Sequence, residues 1–349
     1  MSGESNYSPY LIIGKLSRDF ILTESGEAIN DIPGGHLLYT AIGMSPWEKS
    51  PGLVARIGKN FPEESLSGLK NNGFSLHGLK KIASPLEHRN FISYFGKEKQ
   101  EEPEIKKKKS VLSQYYNAGQ PFPKELLGFN KVNRTENLAV RSEETILAKD
   151  IPPEYQEARC VHLCPLDYLS HNLLPQAFFD THKKTITIHA SATYMHPNFF
   201  ESIKTLVNGL TAFMVREEHL RNLFYEKYRI RNISEMMKVL LDFGAENIIV
   251  KRSDRSYMFL NQFDGKAYQA DPGNRDKFEK IGSFSCFCGA YVIGLNTTYD
   301  FKKAVAYGAG RESLLLNEWN PYHNLNVFDA LLMEKVRIME NKIEECYNC

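Results

Sequence analysis

An alternation of short apolar runs with helical patterns is the feature that most constrains the fold of this chain. Apolar runs occur at 137–140, 160–163, 185–189, 212–215 and 247–251, and helical patterns lie between them at 167–179, 197–206, 217–228 and 233–243. A parallel strand that is buried on both faces is a continuous apolar run, and each parallel connection needs a crossover, usually a helix. The alternation therefore predicts an α/β fold with a doubly wound, mostly parallel sheet sandwiched by helices.

The flanking segments extend the same pattern. Strands are predicted at 10–14, 54–58 and 86–95, a closing hairpin at 258–260 and 266–269, and helices at 37–43, 61–72, 301–319 and 326–346. Asp19 falls at the end of the run that follows the first strand. Open α/β sheets bind ligands at the carboxyl ends of their strands. Asp19 is therefore either a carboxylate that binds a hydroxyl group or a residue that caps or turns the chain.

Composition and charge exclude several classes of partner. The 43 Lys and Arg residues balance 42 Asp and Glu residues, which gives no field that would attract nucleic acid or an anionic membrane. No apolar run approaches the roughly 20 residues that span a bilayer, and six cysteines suit a reducing compartment. We expect a cytoplasmic protein with no metal site and no membrane or nucleic-acid partner. The mixed-charge run 96–109 predicts an exposed loop.

A turn from Gly282 to Ser285 opens an apolar helix that carries small residues at Gly289, Ala290 and Gly294. Small residues let such a helix pack closely against a sheet. The first turn of a helix has unpaired N–H groups and the positive end of the helix dipole. From these residues alone, the turn is either an anion site or the start of an ordinary buried helix.

Taken in order, several segments resemble the PfkB or ribokinase family of sugar and nucleoside kinases. These are Gly14-Lys-Leu-Ser-Arg-Asp19, the pair Gly34-Gly35, Ala55-Arg-Ile-Gly58-Lys-Asn60 and Gly282-Ser-Phe-Ser285, and the similarity covers roughly residues 10 to 320. The resemblance implies one ribokinase-like domain over 1–349, with a small β-lid formed by segments near 15–35 and 88–118. Some members of the family form homodimers through this lid.

The resemblance also implies roles for individual residues. The substrate-binding positions are Asp19, Gly34, Gly35 and Tyr39, and the anion hole for the transferring phosphoryl group is Gly282, Ser283 and Phe284. Ser285 stands at the position of the catalytic Asp of the family. A serine without an activating partner cannot accept a proton near pH 7, and a general base contributes about 10²–10⁴ in rate.

The nucleotide side departs from the family pattern as well. Its matching positions are Arg216, His219, Lys251 and Ser253, but Arg216-Glu-Glu-His219 stands where the family has Asn-x-x-Glu. We therefore expect a kinase-like protein that binds a sugar or nucleoside, with phosphoryl transfer from ATP impaired or lost. ATP and Mg²⁺ are expected only if transfer persists. The alternatives are an active ATP-dependent kinase with a non-standard base, and a hydrolase or lyase that reuses the same cleft.

Overall fold

The computed structural model describes residues 8–96, 110–129, 141–179, 184–225, 231–273, 279–316 and 318–346. The strands in these ranges are β1 (Tyr10–Ile13), β2 (Ser17–Leu22), β3 (Ala28–Gly34), β4 (Gly52–Gly58), β5 (Leu79–Ile82), β6 (Arg89–Ser93), β7 (Cys160–Leu163), β8 (Thr185–His189), β9 (Ala212–Arg216), β10 (Asn247–Lys251), β11 (Tyr257–Asn261), β12 (Ala267–Ala270) and β13 (Glu344–Glu345).

Ten of these strands form the main sheet, in the order β13-β12-β11-β10-β9-β8-β7-β1-β4-β5. The strands from β10 to β5 pair in parallel, and β11, β12 and β13 add an antiparallel edge. Because parallel strands end at the same edge of a sheet, the residues at the ends of β1, β7, β8, β9 and β10 face one region. The doubly wound arrangement predicted from the sequence is confirmed, including the hairpin of β11 and β12.

Helices cover both faces of the main sheet. The helices of the described ranges are α1 (His36–Met44), α2 (Glu63–Asn71), α3 (Val111–Asn117), α4 (Tyr168–Leu173), α5 (Gln176–Phe179), α6 (Phe200–Val207), α7 (Glu217–Leu223), α8 (Ile233–Asp242), α9 (Ser283–Thr298), α10 (Phe301–Ser313) and α11 (Asp329–Asn341). Of these, α3 packs on the small sheet described below and not on the main sheet. Alternation along β1 sends Tyr10 and Ile12 into the core under α1, α2, α9, α10 and α11. Leu11 and Ile13 enter the opposite core, under α4 to α8.

Helix α9 lies close to two neighbouring helices through its small residues. A methyl group added at Gly289 would lie 2.1 Å from the Thr40 carbonyl oxygen of α1, and one added at Gly294 would lie 2.8 Å from Cβ of Tyr307 in α10. Helix α9 does contact β7 and β8 of the sheet, as expected. The closest approaches of Gly289 and Gly294 are to helices, however, and the contact at Gly289 holds α9 against α1.

Three strands form a second, small sheet in the order β3-β2-β6. Strands β2 and β3 are antiparallel, and β2 and β6 are parallel. Phe20, Leu22 and Phe91 pack with Tyr115 of α3 in a separate apolar cluster. This small sheet is the β-lid predicted from the sequence, and its strands fall within the segments 15–35 and 88–118.

Several expectations need correction or lie outside the described ranges. Asp19 lies inside β2 of the lid rather than at the end of a strand that belongs to the main sheet. The helix expected at 301–319 ends at Ser313. The strand expected at 137–140, and the loop 96–109 beyond Gly96, lie outside the described residues. Within the described ranges, the helices are all too short or too polar to cross a membrane.

Candidate functional site

Gly282 is the residue that caps the N-terminus of α9, and its φ angle is +72°. A methyl group added there would lie 2.0 Å from Cγ of Tyr39. The position therefore needs glycine for two reasons, the left-handed backbone and the contact with an aromatic ring. The structure brings together the predicted anion-hole residue Gly282 and the predicted substrate residue Tyr39, which is itself buried.

Ser285, in the same turn, has a partner that the sequence did not reveal. Nδ1 of His36 lies 2.8 Å from Oγ of Ser285. His36 is the first residue of α1 and directly follows Gly35, whose φ is +100°. Only 1% of Ser285 is exposed, whereas His36 is open to solvent. The Gly-Gly-His sequence was the available signal, but it gives no indication that this histidine meets a residue 249 positions later.

His36 is held neutral in this position. The protein atoms that crowd its ring, together with the charges of Arg216 and Lys15, lower the pKa of His36. Its ring lies edge-on to His189 at the end of β8, with centroids 5.4 Å apart. His189 is buried, and its Nδ1 atom has no hydrogen-bond partner among the described residues. The lowered pKa of His36 favours a neutral hydrogen bond between His36 and Ser285.

Phe284, at the position where the sequence resemblance predicts a glycine, is buried at the start of α9. Its ring centroid lies 4.4 Å from that of His189. Arg216 and Lys251 lie 5.6 and 5.7 Å from the ring centroid, a distance at which a cation is attracted to an aromatic face. The backbone N–H groups of Phe284 and Ser285 have no acceptor among the described residues.

The predicted nucleotide-binding residues Arg216 and Lys251 do come together, but as partners of carboxylates. Arg216 donates to both oxygens of Glu279 at 2.8 and 3.0 Å. Lys251 is buried, forms an ion pair with Glu312 and lies 3.0 Å from Oε1 of Glu279. Its Nζ also donates to Oγ of Ser283 at 3.0 Å. Two cations and two carboxylates therefore leave this cluster without net charge.

His219 and Ser253, the other two predicted nucleotide-binding residues, lie at the same edge of the sheet. The N–H of Ser253 donates to Oε2 of Glu217 at 3.1 Å. Burial and the charge of Arg216 lower the pKa of His219 to about 4. The described residues contain no group of three or more His, Cys, Asp or Glu arranged to hold a metal ion. The cluster of Arg216, Lys251, Glu279 and Glu312 therefore offers no excess positive charge of the kind that stabilises a transferring phosphoryl group.

Asp19 and Gly34, two of the predicted substrate-binding residues, lie in contact. A methyl group added at Gly34 would lie 2.1 Å from Oδ2 of Asp19. Ser17 Oγ donates to Asp19 at 2.6 Å, and the amide of Asn90 donates at 3.3 Å. Burial raises the pKa of Asp19 to about 6, against the opposing effect of these hydrogen bonds. Gly35 lies beside the backbone of Lys15, where an added methyl group would lie 2.5 Å from the carbonyl oxygen.

A cavity of 620 Å³ lies between the lid and the loops around the start of α9. Its walls include Tyr39, Tyr94, Glu279, Leu315 and Trp319. The hydroxyl of Tyr94, which follows β6, donates to the backbone carbonyl of Glu279 at 3.2 Å and so connects the lid to this loop. Sequence reasoning missed Tyr94, Leu315 and Trp319 because they belong to no motif. The cavity adjoins Tyr39, but Asp19 and Ser285 do not line it.

No family model and no curated protein matches the chain. The similar solved structures include Arabidopsis thaliana ribokinase complexed with ribose and ATP, with a TM-score of 0.66 at 12% identity over 95% of this chain and 99% of that one. The chain has the ribokinase-like fold. Aminoimidazole riboside kinase from Salmonella enterica, complexed with aminoimidazole riboside and an ATP analogue, aligns with a TM-score of 0.60 at 11% identity, over 94% and 99% of the two chains.

A pyrophosphate-dependent kinase in the ribokinase family, solved as a sulfate complex, has a TM-score of 0.59 at 16% identity, over 90% of this chain and 99% of that one. At these identities the comparisons establish the fold and leave the chemistry to the site residues. The predicted fold class, a doubly wound sheet with a small β-lid, is confirmed.

Proposed function

We propose that this chain is a kinase-like protein of the PfkB or ribokinase family that binds a sugar or nucleoside, and that its phosphoryl transfer from ATP is impaired or lost. The main support for this proposal comes from the residues at the start of α9. Ser285, bonded to His36, stands where the resemblance places a carboxylate base. The nearby carboxylate of Glu279 is held by Arg216 and Lys251, so it is not free to accept a proton.

The ligand side supports binding of a small alcohol. Asp19 and Gly34 are packed together on adjacent strands of the lid, and the cavity beside it has a volume typical of small-molecule sites. The fold neighbours hold ribose and aminoimidazole riboside, which favours a sugar or nucleoside as the ligand here. Tyr94 and Trp319 contribute aromatic surface to the cavity, and their ring centroids are 6.2 Å apart.

The donor side supports the loss of transfer. Phosphoryl transfer depends on positive groups that stabilise the transferring phosphoryl group and on a base at the nucleophile. Here the charges of Arg216 and Lys251 are neutralised by Glu279 and Glu312. The absence of a general base alone lowers the rate by about 10²–10⁴. We expect turnover of ATP to be slow or absent even when the alcohol ligand is bound.

Thermal-shift measurements test this proposal. Ribose, adenosine and aminoimidazole riboside are the alcohol probes, and ATP-Mg²⁺ and pyrophosphate are the donor probes. A ligand that binds the native state raises the melting temperature with concentration. We expect at least one alcohol to stabilise the protein and both donors to have no effect. Stabilisation by ATP-Mg²⁺ together with ADP formation would contradict the proposal.

The hydrogen bond between His36 and Ser285 favours a second candidate, hydrolysis in the same cleft. In that reaction Ser285 Oγ attacks an ester carbonyl while its proton passes to Nδ1 of His36. The C–O bond of the ester breaks and the leaving alcohol takes that proton, and water then hydrolyses the acyl-serine to release the carboxylic acid and restore Ser285. A fluorophosphonate probe that labels Ser285 in the wild type, but not after His36→Ala, would support this candidate. The burial of Ser285 makes it secondary.

A homodimer formed through the lid remains part of the proposal. Leu112 and Tyr116 of α3 are 59% and 82% exposed on the lid segment, and a contact through this face of the lid would cover them. Sedimentation of the wild type and of a Leu112→Glu, Tyr116→Glu variant tests it. A dimer that persists in the variant would exclude this face. The lid boundaries and a cytoplasmic location also remain predictions.

A further inference from the structure

The carboxylate of Glu279 satisfies several side-chain donors at the start of α9. Arg216 donates through both terminal guanidinium nitrogens, one to each Glu279 oxygen. Ser283 Oγ donates to Oε1 at 2.7 Å, and Nζ of Lys251 lies 3.0 Å from the same atom. The Glu279 carboxylate thus interacts at once with the guanidinium of Arg216, the ammonium of Lys251 and the hydroxyl of Ser283.

This set of donors has the composition of an oxyanion site. Guanidinium groups bind carboxylates and phosphates in the same bidentate geometry. The hydroxyl donor, Ser283, is the first residue of α9, where helix N–H groups also favour an anion. Burial by itself raises the pKa of Glu279, but the charges of Lys251 and Arg216 outweigh it and hold that pKa well below its usual range.

Glu279 is placed where an external anion would compete with it. Its side chain is 29% exposed, whereas that of Lys251 is 1% exposed. The residue also lines the cavity under the lid. The side chain of Arg216 is 30% exposed, but neither Arg216 nor Lys251 lines this cavity. An anion that enters through the cavity would therefore meet the Glu279 carboxylate first.

We infer that Glu279 is an internal occupant of an oxyanion site built by Arg216, Lys251 and Ser283, and that it excludes phosphate-bearing ligands from this end of the cleft. Without Glu279, Arg216 and Lys251 face Glu312 alone, and the cluster has an excess positive charge. The inference goes beyond the proposed function, since it names the residue that blocks the site and predicts a gain of binding when this residue is removed.

The test is calorimetric titration of the wild type and Glu279→Ala with inorganic phosphate and with metal-free ATP at low salt. We expect Glu279→Ala to bind phosphate at least tenfold more tightly than the wild type. Glu318→Ala is the matched control, because Glu318 lines the same cavity but pairs with His323. Its affinity for phosphate should equal that of the wild type.

Two further variants test the inference if Glu279→Ala does not fold and identify Arg216 as the anion-binding group. Glu279→Gln preserves the shape of the side chain if Glu279→Ala does not fold, and it should also gain phosphate affinity. Adding Arg216→Ala to either variant should abolish the gain. Equal affinity for phosphate in the wild type and in the folded Glu279 variants, or the same gain in Glu318→Ala, would overturn the inference. Failure of all sugars and nucleosides to bind, with the phosphate gain present, would defeat only the proposed function.

Discussion

The replacement Gly282→Ala tests how the start of α9 is held against Tyr39. Gly282 has φ = +72°, and a methyl group there would lie 2.0, 2.2 and 2.4 Å from Cγ, Cδ1 and Cδ2 of Tyr39. These atoms are at the base of a buried ring, so they cannot move aside as a flexible chain end would. The left-handed backbone costs an L residue roughly 1–2 kcal/mol, and overpacking adds roughly 1–3 kcal/mol. We expect a loss of about 2–5 kcal/mol in the free energy of unfolding.

Gly73→Ala is the control for the backbone term. Gly73 has φ = +88°, and a methyl group there would meet nothing within 4 Å. Urea unfolding of both variants should therefore show a loss of only about 1–2 kcal/mol for Gly73→Ala. In a Tyr39→Ala background, the cost of Gly282→Ala should fall to the control value. Equal losses for Gly282→Ala and Gly73→Ala in the wild-type background would refute the packing of Tyr39 on this turn.

Three further predictions concern single side chains of the site. Ser285→Asp alone should leave ATP turnover at the wild-type level because the donor side stays neutral, and a gain of about 10² or more would show that only the base was missing. Burial raises the pKa of Asp19 to about 6, so the protonated form favours the fold and stability falls as pH rises from about 4 to 6. Asp19→Asn should remove about 2 kcal/mol of stability loss between these two pH values, measured by urea unfolding at both, and an unchanged pH profile would contradict the assignment. Glu312→Gln should cost about 3 kcal/mol in urea unfolding, because it breaks a buried ion pair with Lys251, and a loss below about 1 kcal/mol would indicate that Glu279 compensates.

The sequence predicted the fold well because the signal is repeated along the chain. Each strand of the parallel sheet is a short apolar run, and each connection has helical periodicity, so one misjudged segment does not change the architecture. The position of Asp19 was harder to predict. The chain leaves the main sheet after β1 and enters the lid, and the apolar pattern of β2 resembles that of any half-buried strand.

The candidate site was only partly predictable, since its contacts join distant parts of the chain. Motif order located Gly282, Ser285, Arg216 and Lys251, and the structure brings the last two together. It could not show that His36 bonds to Ser285 or that Glu279 pairs with both cations. Such pairings depend on side-chain positions at the ends of different strands and helices, for which a single sequence carries no periodic signal.

A crystal structure grown with adenosine and ATP-Mg²⁺ is the most direct test of the central claim. The account predicts no phosphate within hydrogen-bonding distance of the N–H groups of Phe284 and Ser285. It also predicts that Glu279 keeps its contacts to Arg216 and Lys251. A phosphate group bound to those N–H groups, with the Glu279 carboxylate displaced from Arg216, would contradict it.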